Sequence, residues 1–181
     1  DIRNMEEAAI ASGDDHLLGA ALTLKAFAFS VLTDTYGDVP FREALSGSSG
    51  VFYPAYDTQE SIYVGEGGLF DLLNEAHDLF SAAGAGTVGG DILFGGDSDL
   101  WHRFANALHL RLLLHASGQI DVSADFAEVA ARPLMEGAAH NAALAYLGSF
   151  PNEYPLIPFK TGDFESVRLG EQLFAHLSAT A

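Results

Sequence analysis

The sequence predicts an all-α protein built of stacked helical hairpins. Long segments carry apolar residues at spacings of three and four, the period of a helix face. Loops rich in Gly, Ser and Pro separate these segments. Almost no stretch alternates with the period of two that a strand requires. The hairpins resemble one another too weakly for periodicity alone to establish a repeat. At 181 residues and 49% hydrophobic content, the chain suffices for one domain with a buried core, spanning 1–181.

The first helix is expected from about Ile2 to Ser12, ended by Gly13-Asp14-Asp15, which also caps the next. From His16 to Tyr36 two apolar stripes run side by side. Leu18, Leu22, Phe29 and Leu32 form one, and Leu17, Ala21, Leu24, Ala28, Val31 and Thr35 the other. A helix apolar nearly all round is expected to lie buried between layers. Thr33-Asp34-Thr35-Tyr36-Gly37-Asp38-Val39-Pro40 ends it. Gly37 can adopt positive φ, Pro40 blocks resumption, and Asp34 and Asp38 can bond to the freed backbone groups of the turn.

A Gly/Ser-rich loop over 45–57 carries Phe52, Tyr53, Pro54 and Tyr56 near its end. Asp57-Thr58-Gln59-Glu60 reads as a capping box with Asp57 at the N-cap. The helix it opens runs to about Ala83, interrupted at Gly65 to Gly68, with Ile62, Leu69, Leu73, Ala76 and Phe80 on its buried face. After a Gly-rich connection, a helix from about Asp99 to Ser117 buries Trp101, Phe104, Leu108 and Leu112. Another covers about Ser123 to Met135, ended or kinked by Pro133. Residues 148–162 read as loop, with Pro151, Pro155 and Pro158, and a last helix is expected from Asp163 to Leu177.

Eight basic against 25 acidic residues give a formal charge of −17. Such a surface repels nucleic-acid phosphates and anionic lipid. Only two lysines, Lys25 and Lys160, are present. An acidic, lysine-poor surface suits high salt, where self-repulsion is screened; an ordinary acidic protein is the alternative. No cysteine is present, which rules out disulfides and thiolate metal sites within these residues. No apolar run approaches the ~18 residues of a membrane span; the segment Ala20 to Leu32 comes nearest. The chain begins at Asp1, without an initiator Met or a signal pattern, and reads as a piece of a longer protein.

Chemistry is sparse. His102 and His109 share a helix face two turns, about 10 Å, apart, long for a common ion, and read better as helix-surface or core-edge residues. Asp91, Asp97 and Asp99 lie among glycines without EF-hand spacing, and capping by Asp97 or Asp99 explains them more simply. No acidic pair stands out for glycosidase work, and no nucleophile elbow, phosphate loop or dinucleotide fingerprint is present. No cofactor is expected. Phe52, Tyr53 and Tyr56 are the candidate ligand residues, since loop aromatics can stack on sugar rings or anchor a partner. Packing down onto the helix layer is the competing and stronger expectation. Trp101, at helical spacing with Phe104 and Leu108, reads as core.

Three segments in order carry a family resemblance. The first is Ala26-Phe27-Ala28-Phe29 continuing through Thr33-Asp34-Thr35-Tyr36-Gly37-Asp38-Val39-Pro40-Phe41 to Glu43-Ala44-Leu45. The second is Tyr53-Pro54-Ala55-Tyr56-Asp57-Thr58-Gln59-Glu60-Ser61-Ile62-Tyr63. The third joins Asp91-Ile92-Leu93-Phe94-Gly95-Gly96-Asp97 to Trp101-His102-Arg103-Phe104-Ala105-Asn106-Ala107-Leu108-His109-Leu110-Arg111-Leu112. Together they resemble the SusD/RagB family of surface nutrient-binding lipoproteins, strongly over about residues 20–115. Asp163-Phe164-Glu165-Ser166-Val167-Arg168-Leu169 resembles a later family segment more loosely.

The resemblance implies a non-enzymatic protein that holds an oligosaccharide or similar fragment at the cell surface. Such a protein passes its ligand to a TonB-dependent, SusC-like transporter barrel, held to the outer membrane by a lipid anchor on an N-terminal cysteine. The resemblance also implies tetratricopeptide-like helical hairpins in an α–α superhelix, which would form the scaffold and the transporter-facing surface. Matched residues, Asp34, Tyr36, Gly37, Asp38, Pro40, Asp57, Trp101, Arg103, Asn106 and Arg111, would be architectural, with Gly37 closing a helix, Asp57 capping one, and Arg103 and Arg111 pairing with acids between hairpins. The chain departs from the family at Gly65-Glu66-Gly67-Gly68, where a continuous helix is usual, and at His102 and His109, often Lys or Ser. A helical-repeat scaffold that binds only protein partners is the alternative, and an enzyme using an unrecognised carboxylate pair the third reading.

Overall fold

The computed structural model describes residues 2–149, with Glu153, Glu171, Ala175, Ser178 and Ala179 besides. The loop segment beyond residue 149 with its prolines, the helix expected from Asp163 to Leu177 and the looser family match at 163–169 fall outside the described residues, those isolated positions apart. The chain divides into two compact units, Asp1–Ala143 and Leu144–Ala181. In the second, the described residues 144–149 are non-helical. The first unit holds six α-helices: α1 (Ile2–Ser12), α2 (Asp15–Tyr36), α3 (Gln59–Val64), α4 (Leu69–Ala83), α5 (Ser98–Ala116) and α6 (Ser123–Ala130); in the second, Glu171, Ala175, Ser178 and Ala179 are helical. No strand forms among the described residues, only two isolated bridges, Val39 with Asp57 and Thr87 with Asp97. The fold is all-α.

Helix boundaries follow local chemistry. Asp14 caps α2, its carboxylate accepting from the Leu17 N–H at 3.0 Å. Gly37 closes it at φ 74° and ψ −123°, a conformation only glycine enters readily, while its N–H donates to the Thr33 carbonyl at 2.8 Å. Asp97 caps α5 by accepting from the Asp99 and Leu100 N–H groups. Asp91 accepts from three loop amides, Leu93, Phe94 and Gly96. Burial works to raise its pKa, but these donors outweigh it and hold the carboxyl below its ordinary value. The helix expected to reach Met135 stops at Ala130, three residues short of Pro133. Residues past it turn back so that the Pro133 carbonyl accepts from Asn106 and the Leu134 carbonyl from Arg103.

The interruption at Gly65 to Gly68 is real and divides α3 from α4. A Cβ at Gly65 would lie 2.4 Å from the Ser61 carbonyl oxygen, and one at Gly68 2.6 Å from that of Ile62. The chain needs glycine to fold back this tightly.

α2 and α4 pack together at the centre, with α1 against α2, α5 against α4 and α2, and α6 against α5. α4 and α5 are antiparallel, for Phe70 meets His109 while Phe80 meets His102. The core holds Leu22, Ile62, Leu69, Leu73, Ala76, Phe80, Trp101, Leu108 and Leu112. A smaller cluster of Leu113, Val122 and Val129 seats α6. At the tightest crossing, a Cβ on Gly19 would stand 2.8 Å from the Phe80 ring.

α2 corrects two expectations. It is buried nearly all round only over Gly19 to Thr23; beyond Ala26 the inward residues are the small Ser30 and Thr33. Phe27, Val31, Leu32 and Tyr36 are exposed, because among the described residues no layer covers them. By length and composition α2 is also apolar enough to cross a membrane, with mean hydropathy 1.5, against the expectation that no apolar run approaches that length. Half of that window is buried within the fold, as in a core helix.

Candidate ligand-binding loop

Residues 41–57 leave α2 and return to start α3, and their ends are clamped. Asp57 is the clamp, not the cap. Its carboxylate accepts from the Phe41 and Arg42 N–H groups at 3.0 and 2.9 Å and pairs with the Arg42 guanidinium at 2.5 Å. Burial tends to raise the Asp57 carboxyl, yet the two amides and Arg42 together bring its pKa below the ordinary value. The helix cap falls to Thr58, whose hydroxyl accepts from the Ser61 N–H at 3.2 Å. Both residues suit an N-cap, so spacing alone could not choose between them. The Asp57 N–H donates to the Val39 carbonyl, and the Ala55 N–H to the Glu43 carboxylate at 2.8 Å.

Phe52, Tyr53 and Tyr56 project from this clamped loop. They are 75%, 96% and 73% exposed. Packing onto the helix layer, the stronger expectation, is therefore not what the structure shows. Pro54, between them, contributes to a groove of about 740 Å³ formed with α1, α2 and residues 39–46. Leu45, at the groove, is the one described non-glycine residue with positive φ, 59°, and its carbonyl accepts from Arg3.

Several of the other matched residues make contacts that the sequence did not show. Asp34 and Asp38 do not bond to their own turn. Asp34 Oδ1 accepts from the Tyr63 hydroxyl at 2.6 Å and its Oδ2 lies 3.2 Å from His115 Nδ1. Burial and the Asp34 carboxylate push the Tyr63 phenol well above its usual pKa. Asp38 accepts from the Gln59 N–H at 2.9 Å, and Gln59 Nε2 donates to the Thr33 carbonyl. Pro40 is half-buried and Tyr36 exposed. Trp101 is core, as predicted. Arg103 pairs with Asp99 on its own helix at 2.6 Å and sits 3.8 Å from Glu136. Arg111 lies over the Phe27 ring, 5.7 Å from its centroid, a cation–π contact, and no acidic partner pairs with it among the described residues.

The sequence missed a buried polar cluster between α4 and α5. Asn106 Nδ2 donates to the Pro133 carbonyl, so its Oδ1 accepts from His77 Nδ1–H at 3.0 Å. The same His77 nitrogen stands 2.8 Å from His102 Nε2, which therefore presents its unprotonated side. His109, expected at a surface or core edge, is 2% exposed. Burial is the main cause that lowers His102 and His109 to about 4 and His77 below its ordinary value. No signal in the sequence separates such histidines from surface ones: His77 lies on α4, His102 and His109 on one face of α5, and burial depends on how the two helices meet.

A family described as starch-binding and associating with the outer membrane, SusD-like, matches residues 1–178. The chain belongs to the SusD-like family. Solved SusD relatives share its fold. The chain is 30% identical to a SusD homologue of Bacteroides fragilis, with TM-score 0.73, covering 86% of this chain and 34% of that one. It is 31% identical to a candidate outer-membrane nutrient-binding protein of Bacteroides vulgatus, with TM-score 0.72 and coverages of 86% and 35%. A Bacteroides uniformis SusD homologue gives 25% identity, TM-score 0.69 and coverages of 83% and 31%. This SusD-like chain thus spans about a third of the length of these relatives. No curated protein matches it.

Proposed function

We propose that this SusD-like chain belongs to a non-catalytic nutrient-binding protein of the outer membrane, one that binds glycan through Phe52, Tyr53 and Tyr56. The observation that carries this reading is the exposure of the three rings on a loop whose ends are fixed by Asp57. Exposed aromatics on a rigid base supply stacking faces for sugar rings at little conformational cost. The family description, starch-binding, supplies the ligand class. Delivery to a TonB-dependent, SusC-like barrel and attachment through a lipid anchor follow from the family resemblance. These 181 residues contain no cysteine to carry such a lipid.

The exposed apolar side of α2, with Phe27, Val31, Leu32 and Tyr36, favours a protein contact as well. It supports the transporter as partner, and equally the second reading of a scaffold that binds proteins only. Affinity electrophoresis of the purified protein through gels containing starch, pullulan, xylan or mannan tests the main proposal. Retardation by at least one polymer, without hydrolysis of it, is the expected result. Free migration in all of them favours the protein-only scaffold, and hydrolysis would reinstate an enzyme.

A further inference from the structure

A second concavity, of about 420 Å³, opens where the C-terminal ends of α2 and α5 meet α3. It shares no residue with the groove beside the aromatic loop. Its polar wall is Asp34, Gln59, Glu60, His115 and Gln119, and its apolar floor Val64, Ala116 and Ile120. The wall is pre-oriented. Asp34 is held between the Tyr63 hydroxyl and His115, at 2.6 and 3.2 Å. Gln59 Nε2 is held by the Thr33 carbonyl at 3.0 Å, which leaves Oε1 as the acceptor end of its amide.

These groups select a ligand chemistry. Carboxylates and an amide oxygen accept from hydroxyl or amine protons, and Gln119 and His115 add donor capacity. The apolar floor suits the C–H face of a ring. Among the described residues neither Lys nor Arg lines the cleft while two carboxylates do; Arg111 acts on Tyr63 from behind the wall, and an anionic ligand would still face Asp34 and Glu60. The volume lies in the lower part of the range for small-ligand sites, roughly 300–1,000 Å³, and limits the occupant to one or two rings.

We propose that this cleft is a second saccharide site, accepting one or two neutral or amino-substituted sugar rings and rejecting acidic sugars. The proposal rests on the saccharide-binding reading of the protein and adds a site and a selectivity to it. Gln59 follows Tyr56 by three residues, so the cleft adjoins the aromatic loop along the chain.

The test is an NMR titration of the isotope-labelled protein with maltose, glucosamine and glucuronate. Resonances of Glu60, Gln119 and Ile120 should shift with maltose or glucosamine and stay still with glucuronate. Ile120→Trp, which fills the cleft, should reduce those shifts at least fivefold while Phe52, Tyr53 and Tyr56 keep theirs. Glu60→Ala, at an exposed position, should weaken the same response without threatening the fold. A cleft that stays silent with maltose and glucosamine, or that responds equally to glucuronate, overturns the proposal. Silence at the cleft with a responding loop leaves the loop reading intact. Response at the cleft with a silent loop removes the loop reading and keeps the second site.

Discussion

His109 illustrates how much a single side chain can depend on its surroundings. Its sequence neighbours place it on a helix, yet the packing of α4, α5 and α6 puts it inside, under Phe70 and in the field of Arg132, Glu128 and His77. Burial favours the neutral ring. Its pKa in the folded state is about 4, against about 6.5 when unfolded. The contribution of the neutral form is therefore fully present above pH 6.5 and is lost as pH falls toward 4. At about 1.4 kcal/mol per unit, the loss is on the order of 3 kcal/mol. Urea unfolding at pH 7 and pH 4.5 should show this as a falling midpoint. His109→Phe should flatten the pH dependence relative to the native protein; an unchanged slope would mean that the histidine does not titrate with folding. Asp34, Asp38 and Asp57 show the complementary limit of reading a sequence. Their types announce caps and turns, but their partners, Tyr63, Gln59 and Arg42, lie 15 to 29 residues away. Only the fold brings these groups together.

Helix α2 organises the elements around it. Its ends were legible because Asp14 and Gly37 act on their immediate neighbours. Its burial was not, because apolar periodicity reports which side chains could be covered and says nothing of which layers are present to cover them. The crossing with α4 depends on Gly19, where any Cβ meets the Phe80 ring at 2.8 Å. Gly19→Val should lower stability by roughly 1–3 kcal/mol through overpacking, read as a lower Tm with unchanged helical circular dichroism below the transition. An unaltered Tm would show that Phe80 moves aside freely. The loop between α2 and α3 depends on Asp57 in the same way. Asp57→Ala leaves two backbone amides and Arg42 without their acceptor. It should cost about 1–3 kcal/mol and speed proteolytic cleavage within 45–56. If cleavage does not quicken, the loop is held by other contacts.

The charge of the whole molecule, −17, was visible at once in composition. Self-repulsion of that size weakens the folded state and is relieved by screening. Raising NaCl from 0.1 to 2 M should therefore raise the Tm, and a flat or falling Tm would remove the argument for a high-salt protein. The fold class and the family were also legible, because three motifs in order encode helix ends and hairpin packing. The ligand surface was less so. Phe52, Tyr53 and Tyr56 announce themselves by type, but exposure is set by what the rest of the chain does, and the sequence weighed toward burial. Their exposure is the centre of the functional account. The direct test is calorimetric titration of maltoheptaose into the native protein and into a Phe52→Ala, Tyr53→Ala, Tyr56→Ala triple variant, with Tm recorded for both. Loss of more than about 1.4 kcal/mol on truncating contact aromatics predicts binding at least tenfold weaker in the variant, at a Tm within a degree or two of the native protein. Equal affinity with a markedly lowered Tm would contradict it and make the three rings packing residues.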